Sequence, residues 1–243
     1  MDQQTKAALK QDKFVSTTTH SIEWATEHRK SVLVNGAIAL GVILVVVIGG
    51  LVYNSRSDAA SAAFGAAMQV YQTPLAPAGQ MDSSDVKTYS TATERAKAAN
   101  SLFQGIADKY GCTPAGRNAR YFAGLTSIEA GQNDQAEATL KKVADGWDSN
   151  LAGLAKFALA QLYHNSGRDD QAIDIYTQLK KKPTATIPAS LAQLQLADLY
   201  QSEGKTDQAK AIYAMLKQDD AKSVAGAIAS EKLNPGTSGR VGQ

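Results

Sequence analysis

The chain has 243 residues, 25 basic against 23 acidic side chains, a net charge of +2 and one cysteine, Cys112. This balance provides no field to gather nucleic acid or a polyacidic partner, and a single cysteine excludes an intrachain disulfide framework and any CxxC metal or redox motif. Abundant alanine, an aromatic share of 7% and few β-branched runs outside the apolar segment point to an all-α fold.

In chain order, the polar leader carries Lys6, Lys10, Lys13, Arg29 and Lys30. Its stretch His20–Lys30 offers Ile22 and Trp24 as apolar contacts, a poor stripe for a helix lying on a membrane surface. Next comes Val32–Tyr53, an apolar run whose only strongly polar side chain is Asn35. At about 1.5 Å per residue such a helix reaches roughly 33 Å, enough to cross the hydrocarbon core of a lipid bilayer. A cleaved signal peptide would have a shorter leader, a shorter apolar core and a small-x-small site, whereas GGLVYNSRS follows here. Ala37 and Gly41 form one small-xxx-small pair that would admit another helix. Five basic residues precede the run and only Arg56 follows closely, so the positive-inside bias places the amino terminus in the cytoplasm and the rest on the far side.

Beyond the span, Asp58–Tyr71 reads as a helix with Ala60, Phe64, Ala67 and Tyr71 on one side. Tyr89–Tyr110 reads as another, with Ala96, Ala99, Phe103, Ile106 and Tyr110. The stretch Thr73–Ser84 between them, with two prolines and a glycine, is expected as an exposed insertion, and Asp82 or Ser83 as the cap of the helix that follows. Three hexamers then recur: Gly131–Ala136, Gly167–Ala172 and Gly204–Ala209, each Gly-x-x-Asp-Gln-Ala, with glycines 36 and 37 residues apart. A period of this size signals stacked supersecondary units. Each hexamer is explained as a turn between helices: glycine ends the first, the aspartate complements the dipole of the second, and alanine lets the two cross closely. Apolar helices are predicted before the turns at Tyr121–Ala130, Leu151–Asn165 and Leu191–Glu203, and after them at Gln135–Asp145, Gln171–Lys181 and Gln208–Gln218. Lys222–Leu233 would close the array, as solenoids require.

These residues resemble the tetratricopeptide repeat. Leu159, Ala160 and Tyr163 followed by Gly167, Ala172 and Tyr176 match its pattern, as do Leu196, Ala197 and Tyr200 followed by Gly204, Ala209 and Tyr213. In the first copy Ala123-Gly124 stands for Leu-Ala, Ser127 for the tyrosine and Leu140 for the second aromatic. The spacing exceeds the family's usual length, with the extra residues near Lys180–Pro188, where a looser junction is expected. The resemblance implies a concave face lined by Tyr121, Leu125 and Ile128, by Phe157, Gln161 and His164, and by Leu194, Asp198 and Gln201. Asp198 is its one formal charge, so the trough suits an extended chain or a partner helix, although several of these side chains would equally complete the core.

Bond-making chemistry has little material. His20, His28 and His164 show no ligand spacing, and no GxxxxGK or GxGxxG run occurs, so no metal, cofactor, small-molecule substrate or enzymatic activity is expected. The layout is a tail at 1–30, a transmembrane helix at 31–53, a repeat domain of three to four helix pairs at 54–233 and a loose tail at 234–243. It looks like the bacterial inner-membrane family that includes the ancillary subunit of the Sec translocon. That resemblance implies a single-pass periplasmic interaction module working with the translocon, periplasmic chaperones or secreted clients. The alternative is an envelope scaffold holding one dedicated folded partner.

Overall fold

The computed structural model describes residues 29–76 and 88–235. The basic leader before Arg29, the capping role expected of Asp82 or Ser83 and most of the carboxyl-terminal tail lie outside these residues. The described residues form helices α1 (Arg29–Gln72), α2 (Ala92–Tyr110), α3 (Pro114–Glu129), α4 (Asn133–Ala144), α5 (Ser149–Asn165), α6 (Asp169–Lys181), α7 (Ala189–Ser202), α8 (Thr206–Asp219) and α9 (Val224–Leu233). Among them there is no strand, only an isolated parallel bridge between Leu75 and Tyr89. The chain divides into two units, Met1–Ser55 and Arg56–Gln243.

In the first unit, residues 33–53 are exposed throughout, and this part of α1 is long and apolar enough to cross a membrane. Where the sequence suggests a span followed by a separate helix from Asp58, α1 runs through without a break. Asn54-Ser55-Arg56-Ser57 contains neither proline nor glycine, so nothing there removes a backbone donor or favours a non-helical residue.

In the second unit the remainder of α1 packs through Phe64 and Tyr71 onto Phe103 of α2 and Phe122 of α3, with ring centroids 5.5 to 6.3 Å apart. Such tilted and edge-on pairs add about 0.5–1.5 kcal/mol each beyond burial. Ala60, Ala67, Ala96 and Ala99 are fully buried between these helices, and their small size permits the close crossing. Helix α2 begins at Ala92, later than the sequence suggests, because Thr91 is its cap and accepts the Glu94 N–H at 3.1 Å.

Three helix pairs follow, α3 with α4, α5 with α6 and α7 with α8, each second helix packing on the next first helix, and α9 closes the last pair. The turns within the pairs are alike. Gly131, Gly167 and Gly204 have φ of 74°, 71° and 76°. In the second turn the Gly167 N–H reaches the His164 carbonyl at 2.9 Å and the Arg168 N–H reaches the Tyr163 carbonyl at 2.8 Å. The same two bonds recur at Gly131 and Gly204, so each first helix ends in a Schellman motif. The recurring aspartates Asp134, Asp170 and Asp207 lie in the first turn of the second helix, where they complement its dipole without capping by side-chain hydrogen bond. Ala136, Ala172 and Ala209 are completely buried.

A second recurring device stands at the entry to the first pair and at the exit from the last, and was not read from the sequence. At Thr113-Pro-Ala-Gly116 and Ser223-Val-Ala-Gly226 the hydroxyl caps the new helix through the glycine N–H, at 3.1 and 3.0 Å. A Cβ on Gly116 would fall 1.9 Å from the Tyr110 carbonyl oxygen and one on Gly226 2.1 Å from that of Asp220, so only glycine fits these corners.

The first copy departs from the other two for a visible reason. Ser127 replaces the motif tyrosine, and the buried amide of Asn100 takes the freed position, with Nδ2 2.7 Å from the Ala123 carbonyl, 3.0 Å from Thr126 Oγ1 and 2.8 Å from Ser127 Oγ. Gln104 donates to Asn100 Oδ1 at 2.8 Å, so the buried amide is satisfied on both sides. A methyl group on Gly124 would come within 2.6 Å of Leu140. Glycine with leucine here does what Ala160 with Tyr176 and Ala197 with Tyr213 do later.

The junction expected to be loose is pinned instead. Thr186 donates to the Asn150 carbonyl at 2.8 Å, the Ala185 N–H reaches Asn150 Oδ1 at 3.2 Å, and Ile187 is buried. The extra residues thus close onto the start of α5.

Because an L side chain in the left-handed region costs about 1–2 kcal/mol, Gly167→Ala should lower unfolding free energy by about that much. Gly105→Ala, at an exposed position inside α2 with no atom near its would-be Cβ, should raise it by about 0.5–1 kcal/mol. Denaturant titration of the two variants in detergent checks the opposite signs.

Candidate functional site

The nine residues assigned to the recognition face lie ten, six and three positions before the three turn glycines. Tyr121, Leu125 and Ile128 of α3 and Phe157 of α5 are half-buried at the edge of the central core, and burial raises the Tyr121 phenol above its ordinary pKa. Phe157 meets Tyr176 edge-on at 5.8 Å. Gln161 is exposed, and His164 Nδ1 stands 2.6 Å from Asp169 Oδ1 across the second turn. Helices α3 and α5 pack directly on one another, so these two triplets are side by side. The third triplet differs. Leu194 is 5% exposed inside the last core, while Asp198 Oδ1 accepts from the Tyr213 hydroxyl at 2.7 Å and from Lys232 Nζ at 2.9 Å. These two residues staple α7 to α8 and α9, leaving Gln201 exposed. At the third triplet the closing helix α9 reaches the assigned positions through Lys232.

On the corners between pairs lies a second feature, which the sequence reading passed over. Trp147, in the α4–α5 loop, is 80% exposed, and the Arg117 guanidinium sits 4.6 Å from its ring. Beside it opens a cleft of about 560 Å³. Ala144, Ala152, Gly153 and Leu179 contribute apolar surface, and Lys156, Lys181 and Lys182 contribute charge. The available signal was a tryptophan directly after Gly146 in a polar loop, where burial cannot account for it. Among the described residues no group of histidine, cysteine, aspartate and glutamate could hold a metal ion.

A family described as a tetratricopeptide repeat-like domain matches residues 23–235. The chain belongs to this family. No curated protein and no solved structure matches it. Tetratricopeptide repeat-like domains characteristically serve protein–protein interaction, and the fold supplies that general role.

Within this repeat-like domain the motif tyrosines serve the turns. The Arg168 guanidinium lies 4.3 Å from the Tyr163 ring and Lys205 Nζ 5.6 Å from the Tyr200 ring, each base following its turn glycine. The base's own N–H bonds the carbonyl of the tyrosine it covers. A cation on an aromatic face thus replaces the apolar contact that commonly accompanies a Schellman motif. In the first copy, where Ser127 replaces the tyrosine, Gln132 replaces the base.

Glu137 of α4 joins the first two pairs through this arrangement. Its carboxylate accepts from Lys141 at 2.7 Å, Arg168 at 2.8 Å and the Tyr163 hydroxyl at 3.0 Å. The Lys141 bond is the largest influence holding its pKa down, from 4.5 to about 2; partial burial opposes it, and Arg168 and Tyr163 reinforce it. A depressed folded-state pKa means that the stabilisation is complete above the unfolded value and disappears as pH falls through the folded one. Glu137→Gln should therefore cost about 1 kcal/mol at neutral pH. The gap to the unsubstituted protein should close between pH 4.5 and about 2 in a pH series of urea titrations.

Proposed function

We propose that the protein is a membrane-anchored interaction module whose repeat domain lies in the periplasm and assists the translocation or folding of exported chains beside the Sec translocon. The observation that carries this reading is the coexistence of a fully exposed apolar helical segment, residues 33–53, with a repeat domain of an interaction family. The exposed segment needs a lipid environment, since soluble proteins rarely present so large an apolar surface to water. The charge asymmetry, five basic residues before the segment and Arg56 after it, supports a cytoplasmic amino terminus in the inner membrane. Tyr121, Leu125, Ile128 and Phe157, with Gln161, His164 and Gln201 at the margin, offer a mildly apolar strip suited to extended chains or a partner helix. Tethering holds such a weak binder at effective concentrations that reach the millimolar range for short linkers, so modest affinity suffices.

Alkaline phosphatase fused after Gln243 should be active in cells and green fluorescent protein at the same point dark; the reverse pattern ends the topological reading. A photocrosslinker at Leu125 or Gln161 should capture many secretory chains and translocon subunits. One folded partner in stoichiometric yield would instead establish the scaffold role.

A further inference from the structure

We propose that the cleft between the Trp147 corner and the loop carrying Lys181, Lys182 and Thr184 binds an acidic peptide segment of a partner protein. None of the nine recognition-face residues lines this cleft, so it is a separate surface. Its two walls come from successive inter-pair corners. One is the α4–α5 loop with Trp147; the other is the end of α6 and the pinned segment that lengthens the repeat beyond its usual period.

Three observations select the occupant. No aspartate or glutamate lines the cleft, while Lys156, Lys181 and Lys182 do, and among the described residues none of these three ammonium groups makes an ion pair. Three unpaired cations around one depression attract carboxylates and raise the rate of encounter with an acidic segment. Ala152, Gly153 and Leu179 leave room for an apolar side chain between the charges. Trp147 is exposed yet held by the Arg117 guanidinium stacked on it, so a large contact surface is presented with little ordering left to do on binding. A concave slot with an apolar lining fits alternating acidic and apolar side chains better than the flat array of headgroups on an anionic membrane.

The chain's two tryptophans are Trp24 and Trp147, so Trp24→Phe leaves Trp147 as the sole indole, excited selectively over the tyrosines at the red edge of absorption. With the full chain in nanodiscs of neutral lipid, a glutamate-rich peptide carrying leucine should shift Trp147 emission to shorter wavelength saturably. The same peptide with glutamine for glutamate should bind at least about tenfold more weakly, and binding should be lost near 1 M salt, where charges are screened beyond about 3 Å. Lys181→Glu with Lys182→Glu should weaken the acidic peptide about tenfold or more, whereas Lys217→Glu on α8 should not change it. Far-UV circular dichroism verifies that these exposed substitutions keep the helices, and Lys156→Gln provides an independent loss of charge in the cleft. No saturable response, equal binding of the glutamine peptide, salt-insensitive binding or full retention by the Lys181/Lys182 variant would overturn the proposal. A response to phosphatidylglycerol vesicles without one to the peptide would overturn it in favour of a lipid surface.

Discussion

Everything in the repeat domain follows from reversing the chain in the same way three times. A glycine with φ near 70° after each first helix turns the backbone so that its own N–H and that of the following residue fold back onto that helix's final carbonyls. This sets the angle at which the second helix returns. The fully buried Ala136, Ala172 and Ala209 then make a close return possible, and the aspartates in the first turn of the returning helix support its dipole. Core packing, the stacking of pairs and the positions of outward-facing side chains all follow from these angles.

Local chemistry was therefore legible in the sequence, and contacts between distant segments were not. Gly131, Gly167 and Gly204 announced both period and turn because only glycine occupies that conformation without a Cβ clash. The alanine five positions after each of them identified where the two helices cross closely. The tie of Thr186 and Ala185 to Asn150 joins residues 35 and 36 apart, and no local rule foretells it. The positions assigned to the recognition face are half-buried or exposed in α3 and α5. In α7 the same register gave Leu194 to the core and Asp198 to Tyr213 and Lys232, because a closing helix covers the end of the array. Trp147 was visible as a residue, but its significance depends on Arg117, thirty positions earlier in α3, lying over its ring.

The irregularities are coordinated. Loss of the motif tyrosine at Ser127 goes with loss of the stacking base at Gln132 and with the arrival of Asn100, and Gly124 goes with Leu140. Degeneracy in the first copy thus reflects a different neighbour. Its first helix packs against α2 where α5 and α7 pack against the second helix of a preceding pair. The longer spacing likewise builds structure, supplying the segment that seals the start of α5 and one wall of the basic cleft.

The amide of Asn100 also gives the array a fixed beginning. Its partners Thr126 and Ser127 belong to the first pair alone, since the corresponding stretches Leu162-Tyr163 and Leu199-Tyr200 offer no side-chain acceptors to a buried amide at the same points. Replacing the leading unit would therefore take two of its three acceptors from a desolvated amide. The far end is fitted in its own way, by Asp198 holding Tyr213 and Lys232, so in evolution a gain or loss of units would have to leave both terminal units in place.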